Sequence, residues 1–202
     1  MKNKIFNIIS NVLFVVLIIS TVFLVVRNSC FISIVVSGNS MSPTLKTNEY
    51  GYANKTKAAI NNIERFDIIT FDIERNEETT GLIKRVIGLP GETLEFRGEE
   101  CSLYVNDVYV EQNFITADIQ KLTGKNLNFG YALNTPIVLD NDSYFVLGDN
   151  RGVSHDSLHG LGLVSKSSIV GVLTCIIGSC QSLKEEDVLI CEGKRIGNIR
   201  FF

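Results

Sequence analysis

An uncharged apolar run near the beginning of the chain constrains its fold more than any other feature. Residues 5–26 contain no charged side chain and consist mainly of Ile, Val, Leu and Phe. A helix of roughly 20 apolar residues spans a hydrocarbon core about 30 Å thick. A cleaved leader would have a shorter apolar region, about 7–15 residues, and a small-residue cleavage site, whereas this run ends in VVRN. The sequence therefore predicts a retained transmembrane helix over residues 5–26.

The charges that flank this run predict its orientation. Lys2, Lys4 and the terminal amine lie before it, and only Arg27 follows it closely. Because positive charges favour the cytoplasmic side of a membrane, residues 1–4 are predicted to form a cytoplasmic tail. Residues 27–202 are then predicted to form an extracytoplasmic domain that lies beside membrane lipid.

Composition excludes several classes of protein. The 202 residues suffice for one domain of ordinary size after the helix. A net charge of -3 and a pI near 5.5 leave no basic surface for nucleic acid. No repeat or low-complexity tract is present, which argues against a solenoid or a disordered tail. We therefore predict no nucleic-acid partner.

The cysteines give little support for a structural framework or a metal site. Five are present, so at least one lacks an intramolecular disulfide partner. Cys175 and Cys180 are close enough to form a disulfide across Gly178, which an extracytoplasmic location would permit. Buried free thiols are the preferred interpretation. The cysteine spacing matches no common zinc pattern and only two histidines are present, so the sequence predicts no metal and no cofactor.

Beyond the helix, most segments have the composition of β-strands. Runs of β-branched and aromatic residues are bounded by Gly, Pro, Asn and Asp. They cover residues 30–36, 50–52, 66–72, 81–86, 93–96, 103–110, 143–147 and 169–177. Residues 93–140 are a predicted cap-like insertion, in which 114–136 are polar and irregular, and no role is assigned to 181–202. The sequence predicts a mainly β domain of folded mixed β-sheets preceded by one N-terminal transmembrane helix.

The stretch Ser37–Leu45, SGNSMSPTL, follows the first predicted strand and contains the first candidate catalytic residue. Gly38 can adopt positive φ, and Pro43 fixes its own φ. Such a turn can present the hydroxyl of Ser40 together with free backbone N–H groups, as a serine nucleophile and its oxyanion hole require. Taken alone, the stretch is equally consistent with an ordinary turn between strands.

Lys84 is the candidate base for Ser40. Strand alternation places Lys84 and Arg85 on opposite faces, so at least one of them faces an apolar layer. A lysine with an ordinary pKa of about 10.4 is almost fully protonated at neutral pH, and desolvation can lower that pKa. The side chains that could desolvate the amine are Ile83, Val86, Ile87 and Met41. A lysine on an edge strand that faces water is the alternative interpretation.

A histidine base is the competing possibility. The chain has two histidines, His155 and His159, and His155 is followed directly by Asp156. Neighbouring residues on an extended chain point in opposite directions, so Asp156 is poorly placed to orient His155. The sequence therefore favours a Ser40–Lys84 dyad over a Ser-His-Asp triad.

Three segments resemble the diagnostic boxes of type I signal peptidases, in the same order along the chain. SGNSMSPTL resembles the serine box, GLIKRVIGLPGE the lysine box and GDNRGVSHDS the third box. A short tail followed by one membrane helix is similar to the Gram-positive form of these enzymes. The resemblance implies folded β-sheets of the type I signal peptidase kind and a Ser/Lys dyad peptidase that acts at the membrane surface.

The resemblance also assigns roles to individual residues. Ser40 would be the acylated nucleophile, with its backbone N–H in the oxyanion hole, and Lys84 would be the general base. Ser154 would hydrogen-bond the lysine amine and Asp156 would support the same loop, although loop capping is the alternative role for both. The substrates would be secretory preproteins, cleaved after small residues of the signal peptide. The residues aligned with substrate-binding segments are Ile34, Val36, Met41, Leu82 and Ile83. Core packing is their alternative role.

The sequence departs from the family pattern at four positions. Gly38 stands where some members have a second serine that assists the oxyanion hole, and Phe66 replaces the usual glycine before the aspartate of a strand segment. Leu158 replaces an arginine that would pair with Asp156, and Gly162 lies one residue late. The role of Asp156 is therefore open, whereas the Ser/Lys pair is intact.

Two other functions match parts of the pattern. Catalytically inactive relatives act as assembly partners for surface proteins such as pilins, but they lack the serine or the lysine. Self-cleaving repressors also have a Ser/Lys pair, but they are soluble DNA-binding proteins, which the membrane helix and the acidic balance exclude. The sequence predicts a membrane-anchored serine endopeptidase, with an inactive assembly partner as the alternative.

Overall fold

The structure, a computed structural model, consists of one long apolar helix followed by antiparallel β-sheets. It describes residues 2–75, 77–125, 131–185 and 188–202, with side chains in all of these except residues 2–3 and 181–197. The predicted mainly β fold with an N-terminal apolar helix is confirmed. Part of the predicted irregular segment, residues 126–130, lies outside the described residues.

Helix α1, Lys2–Cys30, contains the apolar run and continues beyond it at both ends. Residues 4–29 are all exposed, so this apolar surface is not buried by the rest of the protein. The hydroxyls of Ser20 and Thr21 both donate to the carbonyl of Leu17, which satisfies these polar groups within the helix. By its length and composition, α1 can cross a membrane.

Twelve strands follow α1 in the part of the chain that the structure describes. They are β1 Phe31–Val35, β2 Glu49–Asn54, β3 Ile68–Arg75, β4 Glu78–Gly88, β5 Thr93–Arg97, β6 Ser102–Val105, β7 Val108–Val110, β8 Ile137–Val138, β9 Ser143–Leu147, β10 Val164–Ser165, β11 Ile169–Glu185 and β12 Val188–Phe201. Two short helices, α2 Lys57–Asn61 and α3 Ala117–Lys121, lie in the connections.

The strands form a large and a small sheet. The large sheet has the order β1-β2-β11-β3-β4-β9-β10, and β12 pairs with β11 outside this path. The small sheet has the order β7-β6-β5-β8 and lies within residues 93–140. Every described ladder is antiparallel, so the prediction of mixed sheets was wrong in this respect.

Strand β11 connects several parts of the large sheet. It pairs with β3 near its beginning and then with β2 and β12, and the register shifts between Leu173 and Cys175 and again between Ile176 and Gly178. Such irregularities bend a strand and increase its twist. The sequence assigned no role to residues 181–202. Of these, residues 181–185 complete β11 and Val188–Phe201 form β12. Their mixed charged and apolar pattern concealed these two paired strands.

Three apolar clusters form the core. One lies between the small sheet and the adjoining parts of β4 and β9, and a second contains side chains of β3, β4, β9 and β10. The third lies beneath the Ser37–Leu45 turn, where Met41 and Leu45 are 2% and 0% exposed. These two residues therefore anchor the turn to the large sheet, because their burial would be lost if the turn moved.

The described cysteines differ from the preferred interpretation at one position. Cys30, Cys101 and Cys175 are free thiols, of which only Cys101 is buried. Cys180 is disulfide-bonded, so the expectation of a free thiol was wrong there. The open alternative of a Cys175–Cys180 bridge is also wrong, because Cys175 is free. The side chain of Cys191 lies outside the described residues.

Gly51 allows β2 to approach β11 closely. A Cβ atom at this position would collide with the backbone carbonyl of Cys175, which cannot move without disturbing the ladder. We expect Gly51→Ala to lower the free energy of unfolding by about 3 kcal/mol, and thus the Tm by roughly 6–12 °C. Thermal unfolding in detergent checks this. Gly81→Ala is the matched control, because its Cβ would meet only Asp72 Oδ1 at 3.6 Å. Equal melting temperatures for the two variants would contradict the prediction.

Candidate active site

The Ser37–Leu45 turn holds Ser40 at the edge of a cleft. Gly38 has a φ of 84°, a conformation that favours glycine. The N–H of Ser42 donates to the carbonyl of Asn39 at 3.1 Å, and the N–H of Leu45 donates to the carbonyl of Met41 at 2.9 Å. The side chain of Ser40 is half-buried. The turn is therefore well defined by its own backbone, and the serine remains accessible.

The amine of Lys84 lies next to the hydroxyl of Ser40. Lys84 Nζ donates to Ser40 Oγ at 2.9 Å and to the carbonyl of Ile83 at 3.1 Å. Lys84 is only 3% exposed. Burial lowers the pKa of Lys84 below its ordinary value of 10.5, and the negative charge of Asp156 opposes this shift in part. The two residues that the sequence predicted as a dyad are thus within hydrogen-bond distance.

The apolar residues around the amine are only partly those expected. Met41 and Ile83 belong to the cluster beneath the serine turn and border the same cavity as Lys84. Val86 and Ile87 are fully buried, but they belong to the other two clusters. Both residues lie farther along β4, where this strand pairs with β9, and they pack there instead of beside the turn.

Two cavities meet at Ser40 and Lys84. The smaller has a volume of about 90 Å³, and the residues that line it are Val35, Val36, Ser37, Ser40, Met41, Gly81, Leu82, Ile83 and Lys84. The larger has a volume of about 340 Å³ and extends to the β3–β4 hairpin and to Val153 and His155. Four of the five predicted substrate-binding residues border the smaller cavity. Ile34 does not, and it lies in the cluster beneath the turn.

Ser154 lies close to the dyad but makes no hydrogen bond through its hydroxyl. It is 5% exposed, and its Oγ has no partner among the described residues. The hydrogen bond to the Lys84 amine that the resemblance implied is therefore not formed in this structure. Both the Ser154 hydroxyl and the Ser40 carbonyl lie against the Cα of Gly148, where a Cβ would collide with them. Gly148 thus permits the close approach of the serine turn and the third box.

Asp156 organises the loop that carries Ser154. One of its oxygens accepts from the backbone N–H of Gly148 at 3.0 Å, and the other accepts from that of Leu158 at 3.3 Å. The second oxygen also faces His159 Nδ1 at 2.8 Å. His159 therefore provides a partner for Asp156, which was expected to lack one because Leu158 stands in place of an arginine. Leu158 itself is 2% exposed and packs in the core.

A buried ion pair that the sequence analysis missed joins the three boxes. Arg85 Nε and Nη2 bind the two oxygens of Asp149 at 2.8 and 2.6 Å. The hydroxyl of Thr44 donates to the same carboxylate. Arg85 follows the candidate base directly, Asp149 belongs to the third box and Thr44 to the serine turn. A bidentate pair of this kind fixes the relative positions of the segments that it joins. The sequence feature that could have predicted this ion pair is the adjacent Lys-Arg pair within an apolar strand.

Phe66 adopts a backbone conformation that favours glycine. Its φ of 75° lies in the left-handed region, which is costly for a bulky residue. Its carbonyl accepts from Arg85 Nη1 at 2.9 Å, and its ring packs on Phe114 with centroids 5.0 Å apart. The backbone shape is therefore retained without glycine, and aromatic packing offsets part of the conformational cost.

Arg151 connects the third box to residues 93–140 from within the protein. Its guanidinium donates to the carbonyl of Gly148 and to the side chains of Thr123 and Gln112, at 3.0, 2.7 and 2.6 Å. Complete burial lowers the pKa of Arg151 to about 10, and the charges of two aspartates oppose this shift. The sequence analysis did not single out this residue, because an arginine in a polar loop usually faces solvent.

The described residues do not form the alternative Ser-His-Asp triad. Asp156 faces His159, and among the described residues it makes no hydrogen bond with His155. His155 is exposed and borders the larger cavity beside the dyad. Lys84, and neither histidine, contacts the hydroxyl of Ser40. Within the described residues, no three His, Cys, Asp or Glu side chains are grouped closely enough to hold a metal ion.

Comparisons with known proteins identify the family of this chain. The sequence model of the family described as "Signal peptidase, peptidase S26" matches residues 7–177. Signal peptidase I P of Bacillus subtilis subsp. natto is 39% identical over 150 residues, which cover 73% of this chain and 77% of that protein. Signal peptidase I of Bacillus licheniformis is 30% identical over 193 residues, which cover 92% of this chain and 95% of that protein. A crystal structure of a signal peptidase I from Enterococcus faecalis V583 is 32% identical and covers 55% of this chain and 97% of its own, with a TM-score of 0.41.

A serine hydroxyl beside a basic side chain in a cleft is the arrangement of a hydrolase that uses a serine nucleophile, and the family match specifies a peptidase. The chain belongs to the signal peptidase family, peptidase S26, and its relatives are type I signal peptidases. The resemblance seen in the three sequence boxes is thereby confirmed. Together with the apolar helix α1, these relatives indicate a membrane-anchored peptidase.

The His159–Asp156 pair predicts a pH-dependent contribution to stability. The hydrogen bond with Asp156 raises the pKa of His159 above 6.5, while burial and the charge of Arg151 oppose the shift. The contribution is therefore complete below pH 6.5 and is lost as the pH rises through the folded-state pKa. We expect His159→Gln to lower the Tm by about 2–4 °C near pH 5.5, which corresponds to ~1 kcal/mol, and by less near pH 9.

Thermal unfolding at the two pH values measures this difference. His155→Gln is the matched control, because His155 is exposed and has no carboxylate partner among the described residues. An equal loss of Tm at both pH values for His159→Gln would show that the ion pair does not contribute.

Proposed function

We propose that this protein removes N-terminal signal peptides from secretory preproteins as a membrane-anchored serine endopeptidase, with Ser40 as nucleophile and Lys84 as general base. The observation that carries the proposal is the 2.9 Å hydrogen bond between the Lys84 amine and the Ser40 hydroxyl in a buried environment. The signal peptidase relatives support the substrate class.

The buried environment gives Lys84 the property that a base needs. An ordinary lysine is neutral in only about one molecule in a few thousand at pH 7. Burial favours the neutral amine, which can accept a proton, over the ammonium, which cannot. The acceptors that contact Nζ are a hydroxyl and a backbone carbonyl, and neither is a carboxylate that would hold it protonated.

The proposed reaction follows from these two groups. Ser40 Oγ attacks the scissile carbonyl carbon while Lys84 takes the hydroxyl proton. The tetrahedral intermediate then breaks its C–N bond, and the Lys84 ammonium gives the proton to the departing amine of the mature protein. A water molecule, deprotonated by Lys84, attacks the resulting ester, and Ser40 recovers its proton as the signal peptide leaves. Each proton that Lys84 accepts is thus returned within one cycle.

The oxyanion of the intermediate requires backbone donors. The N–H of Ser40 donates no hydrogen bond within the described part of the protein, so it is available for this purpose. Gly38 supplies no hydroxyl two residues before the nucleophile. Ser154 remains the proposed supporting residue, since its buried and unpartnered hydroxyl could bond the Lys84 amine during the cycle. Asp156 is proposed to support that loop through Gly148 and Leu158.

The small cavity beside the dyad accounts for selection of small side chains. Its volume of about 90 Å³ can hold an alanine-sized side chain but not an aromatic one. Val36, Met41, Leu82 and Ile83 form its apolar part. We propose that these residues bind the small side chain before the scissile bond, and that Ile34 acts through packing beneath them.

The topology is part of the proposal. Residues 5–26 would cross the membrane, residues 1–4 would lie in the cytoplasm, and residues 27–202 would form the extracytoplasmic catalytic domain with 93–140 as its cap-like insertion. Unequal flanking charge supports this orientation. It would place the dyad on the side where exported preproteins emerge, close to membrane lipid.

The alternative of an inactive assembly partner is less well supported. Inactive relatives lack the serine or the lysine, whereas here both are present and in contact. Binding of a preprotein without cleavage is the outcome that would favour this alternative.

We expect Ser40→Ala and Lys84→Ala each to reduce cleavage of a model preprotein by at least about 10³-fold, since the nucleophile and its base act as one unit. His155→Ala should retain most of the activity, because His155 does not contact Ser40. Steady-state cleavage by purified protein in detergent measures these rates.

A matched substrate tests the specificity at the same time. Replacing the small residue before the scissile bond by phenylalanine should prevent cleavage by the wild type, because that ring does not fit the smaller cavity. High activity in Lys84→Ala would overturn the proposed base. Loss of activity in His155→Ala comparable to that in Ser40→Ala would instead favour a histidine mechanism.

The rate should rise with pH as Lys84 loses its proton. Because burial lowers the Lys84 pKa, the midpoint of this rise in kcat/KM should lie below 10.5. Stability should rise over the same range, since the folded protein disfavours the ammonium form up to the unfolded-state pKa. Rates from about pH 6 to pH 10 check this. His155→Ala should keep the same profile, and a rate that falls throughout that range would contradict the assignment.

A further inference from the structure

Strand β12 returns the chain to the serine turn. In the ladder with β11, Arg200 pairs with Ile176 and Phe201 pairs with Cys175. The N–H of Phe202 donates to the carbonyl of Thr174 at 3.0 Å. Ile176 belongs to the cluster that contains Met41 and Leu45. The last strand is therefore attached to the sheet directly beneath the turn that carries Ser40.

The guanidinium of Arg200 contacts this turn. Its Nη1 donates to the backbone carbonyl of Thr44, and its Nη2 forms an ion pair with Glu49. The same oxygen of Glu49 accepts from the backbone N–H of Lys46 at 2.8 Å. Arg200 and Glu49 together thus bind the backbone of the turn at two positions, 44 and 46.

Thr44 is held from its other side as well. Its hydroxyl donates to Asp149, which forms the buried bidentate pair with Arg85. One ion pair therefore fixes the side chain of Thr44, and the other fixes its carbonyl. Ser40 lies four residues before this point. A shift of Thr44 would move the Ser40 hydroxyl relative to Lys84, because Lys84 is carried by a different element, β4.

We propose that Arg200 is a positioning residue for Ser40, so that β12 contributes to the geometry of the active site. This inference rests on the proposed function of Ser40 as nucleophile. Small displacements of a reacting group can reduce a rate by up to about 10²-fold. The Arg200–Glu49 pair is partly exposed, with 35% and 17% of the two side chains accessible, and such pairs contribute little to overall stability. The effect of removing Arg200 should therefore fall on the rate more than on the fold.

We expect Arg200→Ala to lower kcat for a model preprotein about tenfold and to leave KM within about twofold, because the substrate cavities do not include Arg200. The rise of kcat/KM with pH should keep its midpoint, since Arg200 does not contact Lys84. Arg200→Lys should restore about a third of the lost rate, because an ammonium can bind one of the two partners but lacks the planar fork that binds both. Rates are normalised to the folded fraction found by thermal unfolding.

Arg97→Ala is the matched control. Arg97 also forms surface ion pairs, with Glu95 and Asp107, but it belongs to the small sheet. It should retain the wild-type kcat. A kcat within twofold of wild type for Arg200→Ala, in an assay where Ser40→Ala is inactive, would overturn the inference and leave the proposed function intact. An equal loss in Arg97→Ala, or a shifted pH midpoint in Arg200→Ala, would also overturn it. Full activity in Ser40→Ala would instead reject the function on which the inference rests.

Discussion

The structure depends on an amine kept out of water beside a hydroxyl. The charged form of a buried lysine is strongly disfavoured unless a counter-ion approaches it closely. Among the described residues, no carboxylate contacts the Lys84 amine, and its two acceptors are Ser40 Oγ and the carbonyl of Ile83. Asp156 is the carboxylate whose charge acts on Lys84, but its oxygens are occupied by two backbone N–H groups and His159. These hydrogen bonds hold the carboxylate within the loop and not against the amine, and its charge opposes the effect of burial on the Lys84 pKa only in part.

Arg85, which follows Lys84 in β4, shows how the partner of a buried basic side chain favours its charged or its neutral form. Lys84 and Arg85 are adjacent in β4 and both are buried, with 3% and 7% exposure. Alternation directs them to different partners: the lysine meets a hydroxyl and the arginine meets the carboxylate of Asp149. An arginine stays charged, so it suits a permanent ion pair, whereas a lysine can lose its proton. Of these two successive residues in β4, Arg85 thus has a structural role and Lys84 the proposed catalytic one. Exchanging them would disrupt both the ion pair and the proposed base.

Local pattern predicted much of the fold and the centre of the site, and failed where distant segments meet. Ser40 and Lys84 could be proposed because a glycine–proline turn and a lysine among β-branched residues are local signals. The Arg85–Asp149 pair spans 64 positions, the Arg200–Glu49 pair spans 151, and no local pattern encodes either. The second half of β11 and all of β12 were missed, because their charged residues interrupt the apolar period that marks a strand. The His159 contact was missed because it depends on a turn with irregular dihedral angles.

At two of the four departures from the family pattern, Phe66 and Leu158, the structure shows a compensating contact nearby. At residue 66 the backbone must be left-handed so that its carbonyl can face Arg85, and glycine would meet this requirement at low cost. Phenylalanine meets it through its contact with Phe114, whose ring also lies 4.2 Å from the Arg85 guanidinium. Phe114 belongs to the segment between the small sheet's β7 and β8, so this aromatic contact joins residues 93–140 to the ion pair beneath the dyad. Residues 93–140 are thus packed against Arg85, and a side chain almost fifty positions away offsets part of the cost of a non-glycine residue at 66.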